Sequence, residues 1–526
     1  MQQLKEKIEY PVGAERVIIV LTAISAALLQ LIDTSIVNVS LREISGSIGA
    51  TTTEIAWAVT AYAVSNVIMI PLSGMMGDLF GRRNYFTFSI LLFTIASFFC
   101  GTSNTLVTLV VWRFIQGIGG GALLTTAQTI IVEAFPPEKI NTANAIFGMG
   151  VILGPTFGPT LGGYLTDNYS WHWIFFINIP IGALATYLSW TFIKNRLGAK
   201  KPTKIDWVGI FLLIISVGSL QYVLEEGSSH DWFDSTEIVT LTIVSVVGII
   251  GFVWREWTYA FPAVNIRLLS NWNLALGSIL NFVVGLILLA TVFVFPLFAQ
   301  IGLGWTATMT GTFLISGALA SAVSMPLVGK LLTQGINAKI IIIGGCIMLF
   351  AFTTLMSFSS PDSSATNFFW PFILRGLGIG FMISPVMVLS VQGLYGSDLS
   401  QGAGISNMVR QLGGAVGIAV MNVFLIHRNA TNDTYLLQHF SEYNDKFQNS
   451  FNMISQNLIS QGYFKETAEK MAYKMLDISL FKQQSFISYN NVFWVVGLLL
   501  LFCIPIVLLI RNNTKYGGEK IDVHLE

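Results

Sequence analysis

The sequence predicts an all-α protein that crosses a membrane fourteen times. Of its 526 residues, 53% are hydrophobic and only 11% are charged, whereas soluble domains carry about 25% charged residues. The apolar residues form long unbroken stretches of the length that a helix needs to cross a hydrocarbon core. The strands of a membrane β-barrel would instead alternate in polarity over segments of about ten residues. The predicted fold class is therefore a polytopic bundle of α-helices.

Each predicted span is one of these stretches. They cover residues 17–40, 55–77, 85–101, 105–132, 142–165, 172–193, 207–224, 236–255, 272–299, 309–332, 338–358, 367–392, 401–427 and 489–511. The first stretch is too long, and too polar at its far end, for a cleaved signal peptide. An even number of spans places both termini on the same side of the membrane.

The charges of the short loops predict which side that is, because cytoplasmic loops are enriched in lysine and arginine. The loops on the side of the termini contain Arg82, Arg83, Lys139, Lys194, Arg196, Lys200, Lys201, Lys204, Arg255, Arg267, Lys330 and Lys339. The opposite short loops contain Arg42 and otherwise mainly Asp167, Glu225, Glu226, Asp231, Asp234, Glu237 and Asp362. Both termini are therefore predicted to be cytoplasmic.

Two pairs of motifs indicate an internal repeat. PLSG at Pro71 in the second span matches PLVG at Pro326 in the tenth, and RFIQGIGGG at Arg113 in the fourth is similar to RGLGIG at Arg375 in the twelfth. The offsets are 255 and 262 residues, and the paired spans run in the same direction. A parallel repeat of two six-helix halves is the layout of a carrier whose lobes rock against each other.

The repeat divides the chain into five parts. They are a tail at 1–16, an N-terminal six-helix bundle at 17–193, a linker with two inserted helices at 194–270, a C-terminal six-helix bundle at 271–511 and a tail at 512–526. The C-terminal bundle includes a long loop on the outer side at 428–488.

Composition excludes several kinds of partner and chemistry. The formal net charge is zero, so we expect no nucleic-acid partner. The expected surroundings of the chain are the lipid bilayer. The cysteines Cys100, Cys346 and Cys503 lie in apolar runs and predict neither a disulfide framework nor a metal site. The five histidines are dispersed, and no phosphate-binding GxxxxGK[ST] loop occurs. The sequence therefore predicts no cofactor, no metal and no enzymatic activity.

An acid and a base are predicted to lie at one depth inside the membrane. Asp33 and Arg113 are each about seven or eight residues from the outer end of their spans, which at 1.5 Å per residue places both roughly 10 to 12 Å below the same surface. Burial and a neighbouring cation act in opposite directions on the pKa of such a carboxyl, and this balance can leave it titrating in the physiological range. Asp33 is thus a candidate proton carrier, and a permanent structural salt bridge is the alternative.

The loop GMMGDLFGRRN, at 74–84, combines flexible and charged residues. Its glycines, Gly74, Gly77 and Gly81, allow helix ends to approach, Asp78 can accept charge-assisted hydrogen bonds, and Arg82 and Arg83 can donate them. This combination predicts a breakable contact between the lobes. The alternative is that both arginines are ordinary anchors at the cytoplasmic surface.

The fifth span carries a row of glycines four residues apart. They are Gly150, Gly154, Gly158 and Gly162, followed by Gly163. Small residues at this spacing form a smooth helix face for close packing. Pro155 and Pro159 remove two helix hydrogen bonds and favour a kink.

Taken together, these motifs resemble the Major Facilitator Superfamily, and within it the fourteen-span drug:proton antiporters of the EmrB/QacA type, most closely the EmrB-like multidrug exporters. Residues 74–83 match the superfamily's motif A, 113–121 match motif B and 150–163 match motif C, the antiporter motif. The signature of the first span is matched by Leu31, Asp33, Thr34 and Asn38. The segments 171–182 and 407–419 extend the resemblance over nearly the whole chain.

The resemblance implies export of small lipophilic drugs and toxins from the cytoplasm or inner leaflet, driven by inward proton flow across a bacterial inner membrane. Asp33 and Arg113 would couple the proton, and motif A, with Gly74, Asp78, Gly81, Arg82 and Arg83, would gate the cytoplasmic side. For the substrate cavity we select polar and aromatic residues of facing spans, each of which could alternatively make an interhelical hydrogen bond. They are Asn38, Gln116, Gln128, Asn178, Asn281, Phe282, Gln392, Asn407, Arg410 and Gln411.

One departure from the family bears on the substrate. QacA-like relatives that take dicationic drugs have acids in the helix corresponding to 401–427, where this chain has Asn407, Arg410 and Gln411. Without such acids, nothing offsets the lost hydration of a divalent cation. Neutral, weakly acidic or monocationic lipophiles are the expected substrates, with Arg410 either contacting an anion or serving the structure.

The loop at 428–488 is too long for an ordinary connector. Two segments in it have apolar residues at helical spacing and contain no proline. The loop resembles that of EmrB in length and position, which implies docking of a periplasmic adaptor of the EmrA type that leads to a TolC-like outer-membrane channel. The alternative is a pair of amphipathic helices that lie on the bilayer or cap the outer mouth.

A carrier for a specific metabolite or siderophore on the same fold is the nearest alternative function. Motif C and the acid of the first span favour antiport over symport. A receptor would more often carry a soluble output domain, and the tails at 1–16 and 512–526 are too short for one.

Overall fold

A computed structural model describes residues 10–136, 139–195, 204–361, 363–394, 397–438 and 445–510. Within these ranges the chain is helical and contains no β-strand, and fourteen helical segments are long and apolar enough to cross a membrane. The predicted all-α polytopic class with fourteen spans is confirmed. The tail at 512–526, most of the tail at 1–16 and the middle of the linker, 196–203, lie outside the described residues.

The N-terminal bundle consists of six spans. They are α1 (Gly13–Ile48), α2 (Thr52–Phe80), α3 (Arg82–Gly101), α4 (Leu106–Glu133), α5 (Ile140–Asn168) and a sixth span in two pieces, α6 (Trp173–Phe176) and α7 (Asn178–Phe192).

The short connection from α1 to α2 has clear end signals. Gly49 ends α1 with a φ of 75°, which favours glycine, and Thr51 forms a capping box with Glu54 at the start of α2.

The two inserted spans, α8 (Trp207–Glu226) and α9 (Thr236–Thr258), form a hairpin beside the bundles. Arg255 of α9 donates two hydrogen bonds, of 3.0 and 3.1 Å, to the buried carboxylate of Asp206, which also caps α8. Apolar side chains of α8 pack with those of α2 and with Ile405 of the C-terminal bundle. The hairpin therefore covers one seam between the two bundles.

The C-terminal bundle contains the remaining helices. They are α10 (Trp272–Leu297) with a π-helical turn at Phe298–Gly302, α11 (Ala307–Thr333), α12 (Ala338–Ser357), α13 (Thr366–Ser390), α14 (Ser397–Leu437), α15 (Asp445–Ser460), α16 (Lys465–Leu501) and α17 (Cys503–Leu509). We call the side on which α1 begins and α17 ends the terminal face, and the opposite side the far face.

The sequence predicted the segment 428–488 to be a loop that contains two separate helices, and the structure differs from this prediction. Helix α14 continues beyond its predicted span to Leu437, and α16 runs without interruption from Lys465 into the predicted last span. The two helices pair beyond the bundle, where Gln484 donates to the Asn429 carbonyl at 2.8 Å and Asn432 to Ser488 at 2.9 Å. The segment is therefore an extension of two spanning helices, joined through α15, that projects from the far face.

The two bundles meet through closely packed small residues. A Cβ atom added at Gly329 of α11 would lie 2.9 Å from the Ala145 side chain of α5, and one added at Gly404 of α14 would lie 3.3 Å from the Ile70 carbonyl of α2. Because only glycine allows backbones to approach this closely, these positions hold the bundles together.

Candidate functional site

A buried ion pair lies inside the N-terminal bundle. Asp33 of α1 is completely buried and Arg113 of α4 is 1% exposed. The Arg113 Nη1 donates to the Asp33 Oδ2 at 2.5 Å. Such groups are costly inside a membrane unless they pair with each other or face the protein interior, and here they do both.

Two amides complete the surroundings of the carboxylate. Gln116, one turn beyond Arg113 on α4, donates to the Asp33 Oδ1 at 2.9 Å. Asn178, the first residue of α7, donates to the same oxygen at 3.2 Å and to the Ser97 hydroxyl at 3.0 Å. Both amides were predicted to line the substrate cavity, and the structure places them in contact with Asp33. The interruption between α6 and α7 puts Asn178 at a helix start that faces α1.

The guanidinium of Arg113 has further fixed partners. Its Nε donates to the Ala58 backbone carbonyl of α2 at 3.1 Å, and its Nη1 donates to the Gln116 side-chain oxygen, Oε1, at 2.9 Å. Its carbon lies 4.0 Å from the centre of the Tyr62 ring, within the range of a cation–π contact. The arginine is therefore tied to α1, α2 and α4 at once.

This arrangement suits the ionised form of Asp33. An ionised carboxylate accepts hydrogen bonds only, and all three of its partners are donors, whereas a protonated carboxyl has to donate one bond itself. Proton uptake would therefore require Arg113 or one of the amides to turn or move away. Because these donors belong to α4 and α7, protonation of Asp33 is physically linked to the relative positions of three helices.

The motif A residues lie at the terminal face, where α2 meets α14. The Ser397 hydroxyl of α14 donates to the Asp78 carboxylate at 2.5 Å. A Cβ added at Gly74 would lie 3.1 to 3.2 Å from Gln401, so the helices touch there. Sequence reasoning missed Ser397 and Gln401, because they are more than 300 residues from motif A and belong to no recognised motif.

The basic residues of motif A contact their own bundle. Arg82 forms an ion pair with Glu133 at the end of α4, and the Arg83 guanidinium lies 4.5 Å from the centre of the Trp190 ring of α7. Gly81 has a φ of 84° and ends α2 directly before them. The turn thus fixes both arginines to the N-terminal bundle, while Asp78 contacts the C-terminal one.

We expect Ser397→Ala to weaken the contact between the bundles at the terminal face. The substitution removes the hydroxyl that bonds to Asp78, and a hydrogen bond to a charged group contributes about 1.5–3 kcal/mol. Cysteine labelling of a reporter on the terminal half of α14 should become faster, and Ser357→Ala, near the far end of α12, serves as the control. Unchanged labelling would show that this bond does not hold the terminal face closed.

The glycines of motif C form the contact between α5 and α1. Added Cβ atoms at Gly150, Gly154, Gly158 and Gly162 would meet Ile24, Leu31, Ser35 and Ile36, in that order. Gly163 is half-buried next to this face. The helix continues through Pro155 and Pro159. Motif C therefore packs against the stretch of α1 that contains Asp33, which points towards α4.

The other residues predicted for the substrate cavity lie at several places in the two bundles. Asn407 of α14 donates to Gln128 of α4 at 2.9 Å, across the two bundles, and Asn281 of α10 donates to Ser390 of α13 at 3.0 Å. Asn38 is exposed near the far end of α1. The remaining residues lie in the C-terminal bundle, where Phe282, Gln392 and Gln411 are half-buried and Arg410 is buried.

Comparison with known proteins shows which proteins this chain is similar to. The sequence pattern of the Major Facilitator Superfamily matches residues 23–418. The fatty acid resistance protein FarB of Neisseria gonorrhoeae is 30% identical over 94% of this chain and 96% of its own. The multidrug export protein EmrB of Haemophilus influenzae is 30% identical over 92% and 93%. These relatives confirm the predicted resemblance to the EmrB type.

Solved structures show the same fold at low sequence identity. The human organic anion transporter MFSD10 covers 93% of this chain and 100% of its own, with a TM-score of 0.53 and 14% identity. A bacterial homologue of the lysosomal transporter Spinster covers 95% and 98%, with a TM-score of 0.54 and 14% identity. The match to the family pattern and the named export proteins confirm the prediction of a transporter rather than an enzyme.

Proposed function

The chain belongs to the Major Facilitator Superfamily, and on this premise we propose that it is a drug:proton antiporter that exports hydrophobic and amphipathic compounds. The observation that carries the proposal is the buried pair of Asp33 and Arg113, whose carboxylate has donors from α4 and α7. Relatives named as multidrug export proteins support the direction of transport. The proton gradient would supply the energy, and no cofactor or metal would be required.

In the proposed cycle Asp33 exchanges its proton for cargo as the two bundles rock. A proton that enters from the far face would neutralise Asp33 and release Arg113 and the amides, and the helices that carry them would then be free to shift. Deprotonation towards the opposite side would restore the pair. The contacts of motif A between α2 and α14 would have to open each time the terminal face opens.

The test of this function is transport in everted membrane vesicles. A fluorescent lipophile should accumulate when respiration acidifies the lumen, and a protonophore should abolish the accumulation. Vesicles without the protein provide the baseline. Accumulation that requires ATP and persists without a proton gradient would contradict the proposal.

We further propose that the protein lies in a bacterial inner membrane with its terminal face towards the cytoplasm. Arginines and lysines at that face, among them Arg16, Lys194, Lys330 and Lys339, support this orientation. The extension of α14 and α16 would then stand in the periplasm, where it could dock an EmrA-like adaptor and a TolC-like channel.

Shortening the extension is expected to separate two steps of export. Replacing residues 439–476 with a flexible glycine–serine linker removes α15 and the part of α16 that packs against it but keeps the pairing of α14 with α16. Transport in vesicles should be nearly unchanged, while drug resistance of cells with two membranes should fall strongly. Equal loss in both assays would contradict docking and favour a structural role of the extension.

A further inference from the structure

Arg410 is a buried cation of the C-terminal bundle. It lies in the first half of α14 and is 7% exposed. Its Nη1 is buried and has no hydrogen-bond partner among the described residues. Arg113, by contrast, binds a carboxylate, an amide and a carbonyl. Because a buried charge is unfavourable unless it is paired, the burial of Arg410 suits a role in binding an anion.

Arg410 lies close to the side of α14 that contacts the N-terminal bundle. Residues three apart on a helix lie about 60° from each other around its axis, and Asn407, one turn earlier, reaches Gln128 of the N-terminal bundle. On its other side Arg410 passes along Gly285 of α10, where an added Cβ would lie 3.1 Å from the Arg410 Cγ. The stem of Arg410 therefore runs along α10, about 60° around α14 from the side that contacts α4.

The membrane-spanning part of the C-terminal bundle offers no acid that could pair with Arg410. Between residues 271 and 510, aspartates and glutamates occur at Asp362, at Asp398 where α14 begins, and in the segment from Asp433 to Asp477 on the extension. None of these positions lies within a predicted span. An acidic partner for Arg410 would therefore have to come from the N-terminal bundle, where Asp33 is paired with Arg113, or from the inserted helices. The buried acids there have other partners, since Asp206 binds Arg255, Glu226 accepts from Thr60 and Glu256 accepts from the Val264 backbone.

The internal repeat shows the same excess of buried arginine over buried acid in the C-terminal bundle. Arg375 of α13 occupies the place that Arg113 has in the N-terminal bundle, and it donates to the hydroxyl of Thr291 on α10 at 3.2 Å. Thr291 follows Asp33 by 258 residues, close to the offsets of the repeated motifs. The C-terminal bundle thus keeps the arginine of the pair but has a neutral residue in place of its acid, so its interior carries two uncompensated positive charges.

We propose that Arg410 is the anchor of a subsite for the anionic head group of amphipathic carboxylates, which it binds through charge-assisted hydrogen bonds. The apolar tail would lie along α10, whose Phe282 and Leu286 contact Gly413 and Gly417, about one and two turns beyond Arg410 on α14. A carboxylate with a single charge suits one planar guanidinium. The inference rests on the proposed export function for transport, but binding can be tested without it.

The first experiment measures binding to the purified full-length protein. The probes are dodecanoate with a fluorescent end group and its methyl ester, which share the tail and differ in charge. We expect the wild type to bind the carboxylate more tightly. Arg410→Gln should weaken that binding by about tenfold or more and leave ester binding unchanged, while Arg410→Lys should retain part of it. Equal binding of carboxylate by wild type and Arg410→Gln, or equal loss of both probes, would overturn the proposal.

Thermal unfolding without ligand provides a second, independent readout. Removal of an unpaired buried charge is expected to leave the protein equally or more stable, so Arg410→Met should have an unchanged or higher unfolding temperature. Arg113→Met, which leaves Asp33 unpaired, should have a lower one. A marked decrease for Arg410→Met would show that Arg410 is a structural residue and would overturn the proposal.

The transport assay separates this inference from the proposed function. If wild-type vesicles export both probes, Arg410→Gln should lose the carboxylate and keep the ester. If wild-type vesicles export neither probe but the purified protein still binds the carboxylate through Arg410, the export function fails and the subsite stands. If both probes are exported equally well with Arg410→Gln, the subsite fails and the export function stands.

Discussion

Replacing Asp33 with asparagine is expected to abolish uphill, proton-driven export while the protein stays folded and inserted. Asparagine keeps the shape of the side chain and can still accept from Arg113, but it cannot take up or release a proton. Accumulation of a fluorescent lipophile in everted vesicles should fall to the level of vesicles without the protein. Exchange down a concentration gradient should decrease much less, because it needs no proton coupling.

A double substitution distinguishes coupling from stability. Asp33→Asn leaves Arg113 buried without a charge partner, and breaking a buried pair typically costs about 3–5 kcal/mol. Asp33→Asn with Arg113→Gln removes both charges and should regain much of the thermal stability without regaining export. If the single variant transports as well as the wild type, Asp33 serves only the structure. Recovery of export in the double variant would show that the charge imbalance, and not the lost proton site, caused the defect.

Gly154→Ala is expected to disrupt the contact between α5 and α1 and to lower both stability and export. An added Cβ would overlap the Leu31 Cβ, with the Leu31 Cα and carbonyl carbon 3.3 Å away. No rotation of the leucine side chain moves these atoms, so the helices themselves must separate. Overpacking of this kind typically costs about 1–3 kcal/mol. We expect a clearly lower unfolding temperature and a strong loss of vesicle transport, because Asp33 lies two residues from Leu31.

The matched control is Gly344→Ala in α12. An added Cβ at Gly344 meets no atom within 4 Å, and alanine favours a helix over glycine by about 0.8–1.0 kcal/mol. The control should therefore be as stable as the wild type, or more stable, with full transport. Equal effects of the two substitutions would mean that the tight face of motif C is not what makes Gly154 necessary.

Much of the fold follows from composition and periodicity. The number of spans and the shared depth of Asp33 and Arg113 depend only on where apolar runs begin and end, since the thickness of the membrane is constant. The structure of the segment 428–488 could not be predicted in this way, because the polar helices there are held by pairing of α14 with α16 beyond the bundle. Hydropathy detects contact with lipid, and it does not detect contact between two polar helices.

The sequence by itself determined the fold class, the spans and the depth of each charged residue along its helix. Only the tertiary structure decided which groups meet: Gln116 and Asn178 at Asp33, Ser397 at Asp78, and no described partner at the buried Nη1 of Arg410. The physical reason is that position along a helix fixes depth, whereas contacts depend on how each helix is rotated about its axis. That rotation is set by close packing at glycines and by buried hydrogen bonds between residues that are far apart in the chain.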